Sequence, residues 1–314
     1  MKINEYIVTK KITDESIKKK EAHYFSTKDF DLILNENADV YYYENGKKHT
    51  LLKFRKNVIP KEFSDDVFEA FHKASLIKHD NRGASAGLLD RKKLPNYVGK
   101  LVNTNSRGFR TGYIGKFTKK KHKTLVSNYA QSNIVGYYDK ADRNLGKGAP
   151  PCRLTSFTEK QVKKWKQSLP FIKEMDKWFK ELNPEEYQKQ RQRAKANDFH
   201  IKGTAFSTIT INNNWQTALH IDDGDCKEGF GNLCVVEKGN YEGGYTGFPQ
   251  FSVAVNVRTG DYLSMDVHQW HCNTPLKGEN FNRLSLVAYL RDGMKKCPKK
   301  NRNTKKIKKI IKKI

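Results

Sequence analysis

Long apolar runs are missing from this sequence. None approaches the ~20 residues that a membrane-spanning helix needs, and the opening MKINEYIVTKKITDES has no apolar segment of the kind that directs secretion. The expectation is a soluble protein that stays inside the cell. Cysteine is sparse as well: Cys152, Cys226, Cys234, Cys272 and Cys297 make an odd set without a CxxC pair or zinc-ribbon spacing. That pattern argues against a structural zinc site and a disulfide framework, and it fits a reducing compartment. Acid is the third shortage. With 34 Asp and Glu against 60 Lys and Arg, the formal charge is +26, so a polyanionic partner is expected, nucleic acid first and an anionic membrane surface second.

What is present suffices for a folded domain. The chain has 314 residues, 37% of them hydrophobic, enough to bury a substantial core. Residues 1–75 mix charged and apolar residues as an irregular α/β lead-in, and Gly- and Arg-rich stretches such as NRGASAG and NSRGFRTGYIGK fill Asn81 to Thr155. Helical signals follow. Thr158 and Gln161 have capping-box spacing, and Val162, Trp165, Leu169, Ile172, Met175, Phe179 and Leu182 recur every three or four positions. Pro170 should kink or split that helix, and Asn183 with Pro184 should cap and start the next one. After Phe199 the period becomes two: AFSTITI, NLCVVE, FSVAVNV, GDYLSMDV and RLSLVAYL read as strands between turns, the texture of a sandwich or jelly roll. The expected fold is one α+β domain over residues 1–294, with an α/β elaboration and helices over 1–200 and a β core over 201–294, followed by a basic tail over 295–314.

One stretch runs against the charge balance. TALHIDDGD, residues 217–225, sets three carboxylates beside one histidine. In an extended segment His220 and Asp222 project to the same side, so an imidazole and a carboxylate can meet one cation. H-x-D is common by chance, and the downstream pattern gives it weight. Two histidines and one carboxylate form the facial site of iron(II) oxygenases, with positions left open for a bidentate keto acid and dioxygen. WHCNTPL supplies His271. His268 competes for the same role, but alternation groups it with Tyr262, Ser264 and Asp266, opposite the apolar face of Leu263, Met265 and Val267. His271 is therefore preferred. In RLSLVAYL, alternation groups Arg283, Ser285, Val287 and Tyr289. A guanidinium facing into a β core requires an anion, which it grips through two parallel hydrogen bonds. That anion is either the distal carboxylate of 2-oxoglutarate, with Ser285 as a second donor, or the partner in a structural salt bridge.

The order H-x-D, YEGGYTGFPQ, TGDYLSMDVHQWHCNTPL and RLSLVAYLR resembles the double-stranded β-helix of iron(II)- and 2-oxoglutarate-dependent dioxygenases. Within that superfamily it is similar to the TET/JBP branch, whose members oxidise the methyl group of 5-methylcytosine or thymine in DNA. The likeness covers residues 203–292, with looser matches in NRGASAG and PPCRLTSFT. It implies a jelly-roll, cupin-like core with N-terminal helices packed on it, iron(II) held by His220, Asp222 and His271, and 2-oxoglutarate anchored by Arg283 and Ser285. Asp225 falls where relatives of the H-x-D-x-x-D form place a base-reading side chain. A carboxylate there accepts from the amine of cytosine or the imide of thymine once the base is flipped out of the duplex. Asp223 is then a solvated turn residue. The cysteine-rich zinc modules of animal TET proteins and the glucosylated-base reader of JBP have no counterpart in the sequence, and algal relatives use vitamin C instead of the keto acid. Base identity, the number of oxidation steps and a part for ascorbate stay open.

Arg107, Arg110, Lys116, Lys119, Lys120, Lys121 and Lys123 are interleaved with Phe109, Tyr113 and Phe117, a pattern for gripping phosphates and stacking at bases. Arg153 joins them as a substrate-binding candidate. In the tail, Ile307, Ile310, Ile311 and Ile314 form one helical stripe among lysines, expected to be disordered until it binds DNA, with an anionic membrane surface, a partner groove or a nuclear address as alternatives. The sequence thus reads as a monomeric DNA-base dioxygenase of the nucleus or another DNA-containing compartment. Its rivals are a peptidyl prolyl or lysyl hydroxylase, since GGYTGFP also occurs in the wider superfamily, and a catalytically silent DNA-binding scaffold.

Overall fold

A computed structural model of the chain describes residues 2–119, 121–141, 151–297 and 302–312. Its first part contains β1 (Asn4–Val8), α1 (Asp14–Lys19), β2 (Leu32–Leu34), β3 (Ala38–Glu44), β4 (Lys47–Arg55), α2 (Lys61–Ser75) and β5 (Lys78–His79). Next come β6 (Val98–Thr104), β7 (Thr111–Gly115), β8 (Lys121–Val126), β9 (Ala130–Tyr138), β10 (Arg153–Leu154), α3 (Ser156–Lys160), α4 (Val162–Leu182) and α5 (Pro184–Lys195). The remainder is β11 (Thr208–Asn213), β12 (Gly231–Lys238), β13 (Glu242–Gly243), β14 (Thr246–Phe248), β15 (Val253–Val255), β16 (Tyr262–Met265), β17 (Cys272–Asn273), β18 (Leu276–Lys277), β19 (Asn282–Tyr289) and α6 (Arg302–Ile311).

Ten strands form one sheet in the order β1-β3-β4-β16-β12-β19-β11-β9-β10, with β5 paired to β9. A second sheet runs β17-β14-β15-β2, and a third β6-β7-β8. Alternation gives the large sheet two apolar faces. Leu284, Leu286 and Ala288 of β19 and Cys234 and Val236 of β12 share one buried cluster with Phe71 of α2 and Met175 and Phe179 of α4. Leu233 and Val235 of β12, Leu52 and Phe54 of β4 and Leu263 and Met265 of β16 share another with Leu34, Phe248, Val253 and Val255 of the second sheet. The architecture is mixed α+β, with helices on one side of the large sheet and a small sheet on the other. No helix among the described residues is long and apolar enough to cross a membrane.

The first residues of the chain carry more structure than a lead-in. β4 pairs with β16 through Phe54 and Leu263, and β2 pairs with β15 through Leu32 and Val253. The helices also depart from expectation. Thr155 caps α3, its hydroxyl accepting from the Thr158 N–H, whereas Thr158 is buried inside that helix and accepts from the Gly136 N–H at 2.7 Å. Asn183 makes no side-chain capping bond, although Pro184 does open α5. Pro170 does not split α4. Trp165 on one side of it and Phe171, Ile172 and Met175 on the other are all buried, and that packing outweighs a lost backbone bond and ring clash costing ~3 kcal/mol.

Two expectations about the C-terminal part are corrected. Cys152 and Cys297 form a disulfide across 145 residues of sequence, so the odd cysteine count conceals one covalent tie; Cys226, Cys234 and Cys272 are free and buried. The basic tail is also not wholly unstructured, because α6 is docked, with Ile307 and Ile310 inside the helix-side core. The protein's own apolar surface covers Ile307 and Ile310. The Ile311 side chain and Ile314 lie outside the described residues, as do Lys120 and the side chains of Lys121 and Lys123.

Candidate active site

His220 and His271 face each other across a short backbone bridge in which each N–H donates to the other's carbonyl at 3.0 Å. His271 immediately precedes β17, and the Asp222 N–H is pinned to the Val267 carbonyl at 3.0 Å. The two imidazoles are oriented in the same way. Nδ1 of His220 donates to the Ala218 carbonyl at 2.7 Å, and Nδ1 of His271 to the Gln269 carbonyl at 2.9 Å. A carbonyl only accepts, so both rings carry their proton on Nδ1 and present the Nε2 lone pair. Those Nε2 atoms stand 3.8 Å and 3.6 Å from the two oxygens of Asp222, and one ligand atom from each residue falls within 4.8 Å of the others. The donor set fits one divalent cation.

The electrostatics agree. Burial and the neighbouring His271 push His220 down to about 4, keeping it neutral and able to ligate. Burial opposes charge on Asp222, yet the two imidazoles hold it at about 2. His271 is raised, the Asp222 carboxylate more than offsetting burial. His268 takes no ligand position. It lies in the turn beyond the end of β16 at Met265, where strand alternation does not set its direction, and its Nε2 is 3.2 Å from the Cys226 carbonyl.

A cavity of about 460 Å³ opens over these three residues and is also lined by Ser285, Val287 and Tyr289 of β19. Arg283, on the same face, is 1% exposed. Its Nη2 donates to the Gly244 carbonyl at 3.0 Å, and its buried Nε has no partner among the described residues. Arg82 of NRGASAG repeats the arrangement: it lines the cavity, its Nη2 donates to Ser132, and its buried Nε has no partner. Two guanidinium groups with unsatisfied donors fit a dicarboxylic keto acid.

The rest of the wall is polar. Asp225 is buried, and among the described residues no donor reaches its carboxyl group. Burial and the Asp222 charge raise it well above the usual carboxylate range, against the opposing pull of Arg291. Arg291, bridged to Asp225 through the backbone, donates from Nε to Asp139 at 2.6 Å and lies 4.4 Å above the Tyr138 ring. Arg107 and Arg110 line the cavity, flanking the Phe109 ring at 4.9 and 5.8 Å, and Arg107 also pairs with Glu21 at 3.0 Å. Asp223 is exposed at the edge. Arg153 is not brought into the cavity; its guanidinium donates to the Lys140 and Leu154 carbonyls beside the Tyr138 ring. The arginines missed by sequence reasoning, Arg82 and Arg291, both sit in segments already noted, NRGASAG and RLSLVAYLR.

The family model Tet_JBP, the oxygenase domain of the 2OGFeDO superfamily, matches residues 133–292. The chain belongs to this family. Thymine dioxygenase JBP1 of Trypanosoma brucei brucei is 28% identical over 289 residues, 88% of this chain and 31% of that protein. The bifunctional helicase and thymine dioxygenase JBP2 of Leishmania major is 35% identical over 165 residues, 52% of this chain and 15% of that protein. The chain thus spans less than a third of the length of these Tet/JBP relatives. A solved structure of NgTET1 in complex with 5mC DNA resembles 93% of this chain and 88% of its own with a TM-score of 0.51 at 13% identity, a likeness of fold alone. Within the Tet/JBP match lie His220, Asp222, Asp225, His271, Arg283, Ser285 and Arg291, whereas Arg82, Arg107 and Arg110 precede it.

Proposed function

We propose that this Tet/JBP oxygenase is an iron(II)- and 2-oxoglutarate-dependent dioxygenase that converts the methyl group of a DNA pyrimidine, thymine or 5-methylcytosine, to hydroxymethyl. The observation that carries it is the convergence of His220, Asp222 and His271 on one cavity, together with Arg283, which alternation sets on the same face of β19 as the cavity-lining Ser285 and whose buried Nε lacks a partner among the described residues. In this reading the large and second sheets are the halves of a jelly-roll core, and the protein acts as a monomer in a DNA-containing compartment. When bound, iron(II) would supply the activation of dioxygen, the oxidant, with 2-oxoglutarate as the two-electron co-reductant leaving as succinate and carbon dioxide, for conversion of a methyl C–H to C–OH.

The chain's own residues hold and orient. His220 and His271 present Nε2 because their Nδ1 protons are committed to carbonyls, and Asp222 stays ionised beside them. Arg283 takes the distal carboxylate of 2-oxoglutarate, with Ser285 next to it. Asp225 accepts an N–H from the extruded base, and the buried wall around it excludes water. Arg107 and Arg110 hold phosphate near the mouth. Thymine is favoured as substrate because the named relatives are thymine dioxygenases; ascorbate enters as a reductant.

The test is mass spectrometry of nucleosides from duplexes containing thymine alone or also 5-methylcytosine, after incubation with the protein, iron(II), 2-oxoglutarate and ascorbate. Hydroxymethyl nucleosides are expected. Consumption of 2-oxoglutarate without an oxidised nucleoside from either duplex would sink the DNA-base reading.

A further inference from the structure

We propose that α6 is a fixed contact for the DNA backbone: a lysine-faced helix, seated on the core one strand from the cavity wall, that takes phosphates of the duplex flanking the extruded base. The proposal rests on the DNA substrate argued above.

The helix has two unlike faces. Ile307 is 1% exposed and Ile310 8%, both in the cluster that holds Tyr137, Cys152, Leu154 and Cys297. Lys305, Lys308, Lys309 and Lys312 are exposed. Their i, i+3, i+4, i+7 spacing sets them on one stripe at ~100° per residue, opposite the buried isoleucines. Four like charges at helical neighbour positions repel one another, and among the described residues no carboxylate pairs with any of them. An anion laid along the stripe relieves that repulsion.

The seat lies close to the site. α6 packs on β10, and Arg153 of β10 is in register with Tyr138 of β9. Tyr138 lines the cavity, with the Arg153 and Arg291 guanidinium groups 5.7 Å and 4.4 Å from its ring. Positive charge therefore continues from the cavity wall to the exposed face of α6. The Cys152–Cys297 bond fixes the chain just before the helix to the start of β10. A helix held in this way has little order left to gain on binding, so less of its attraction to phosphate is spent on ordering.

The same geometry favours DNA over a membrane. An interfacial helix inserts its apolar face among the acyl chains, and here Ile307 and Ile310 are already inside the protein.

Duplex binding by the full oxidised chain is to be followed by fluorescence anisotropy across a salt series, for the parent and for the variant K305Q/K308Q/K309Q/K312Q. Expected are at least ten-fold weaker binding at ~0.1 M salt and a log–log salt slope shallower by about 0.9 per lost phosphate contact. The melting temperature and DNA-independent 2-oxoglutarate consumption should match the parent, and phosphatidylserine vesicles should bind neither protein. An unchanged slope alongside tight parental binding would overturn the role of α6 alone. Vesicle binding by the parent that the variant loses would overturn it in favour of a membrane. A parent that binds no duplex overturns it together with the DNA substrate.

Discussion

Replacing Arg283 by methionine separates an anchor for the keto acid from a piece of structure. The guanidinium is 1% exposed with one hydrogen bond, to the Gly244 carbonyl at 3.0 Å, and a buried Nε left over. A charge so poorly matched destabilises the unliganded protein, so a methionine of similar reach should leave its stability unchanged or higher. The liganded protein behaves differently. A two-pronged contact to a carboxylate comprises two charge-assisted bonds of ~1.5–3 kcal/mol each, so losing both should weaken 2-oxoglutarate binding by at least ~100-fold. The assay is thermal unfolding with manganese(II) in place of iron and rising 2-oxoglutarate. At ~100 times its Kd the acid stabilises the parent by ~2.7 kcal/mol, or roughly 4 °C for a chain of this size. Arg283→Met should show almost none of that shift, and Arg283→Lys a part of it, because one ammonium cannot reproduce the fork. A methionine variant that keeps the parental shift, or one whose unliganded form loses several kcal/mol, would refute the anchor argument.

Other expectations follow from the same geometry. His220→Ala, Asp222→Ala and His271→Ala should each abolish manganese(II) binding in titration calorimetry, while His268→Ala retains most of it; the reverse pattern for the two downstream histidines would exchange their roles. Asp225→Asn replaces one acceptor by a donor and should lose 1–3 kcal/mol of base recognition, so it should keep uncoupled 2-oxoglutarate decarboxylation and lose nucleoside oxidation; near-parental oxidation would leave Asp225 a turn residue. Burial raises Asp176 above its ordinary 3.8, so the folded chain holds that proton more tightly than the unfolded one. The resulting stability is present below 3.8 and is lost as pH rises through the raised folded value; Asp176→Asn, which never ionises, should flatten urea-measured stability over that window, and identical pH slopes would contradict this. Cys297→Ser removes a tie across 145 residues and should cost ~2–5 kcal/mol by chemical denaturation, against which an unchanged midpoint would count.

The β core was legible because its strands alternate and its turns are marked. The N-terminal strands carry an equally local signal that went unread: Asn45-Gly46 between VYYYE and KKHTLLKFR is a two-residue hairpin turn with φ of +52° and +73°. What no local pattern could supply is the pairing of β4 with β16 or of β2 with β15. Those contacts join segments some two hundred residues apart, and shared burial selects them rather than spacing. Pro170 does not end its helix, for a related reason. Its local cost is real, and the apolar residues on both sides of it must face the sheet together.

The site divides along the same line. His220 and Asp222 share a strand-like segment and Arg283 shares a face with Ser285, so spacing and parity were enough to nominate them. Arg82 and Arg291 become wall residues only because β9 and the bend that follows it run past both, β9 offering Ser132 to one and the bend Asp139 to the other. This explains how so basic a chain tolerates Asp222 and Asp225 side by side and buried. His220 and His271 hold the first ionised, whereas burial and the Asp222 charge raise the second well above the usual carboxylate range despite the pull of Arg291. Acid is concentrated where the proposed chemistry needs a cation held and a base N–H accepted. The isoleucine stripe of the tail posed a different problem. Its period says that something apolar must cover one face of the helix without saying what, and the core supplies that cover at Ile307 and Ile310, which leaves Lys305, Lys308, Lys309 and Lys312 outward, the face on which the proposed phosphate contact rests.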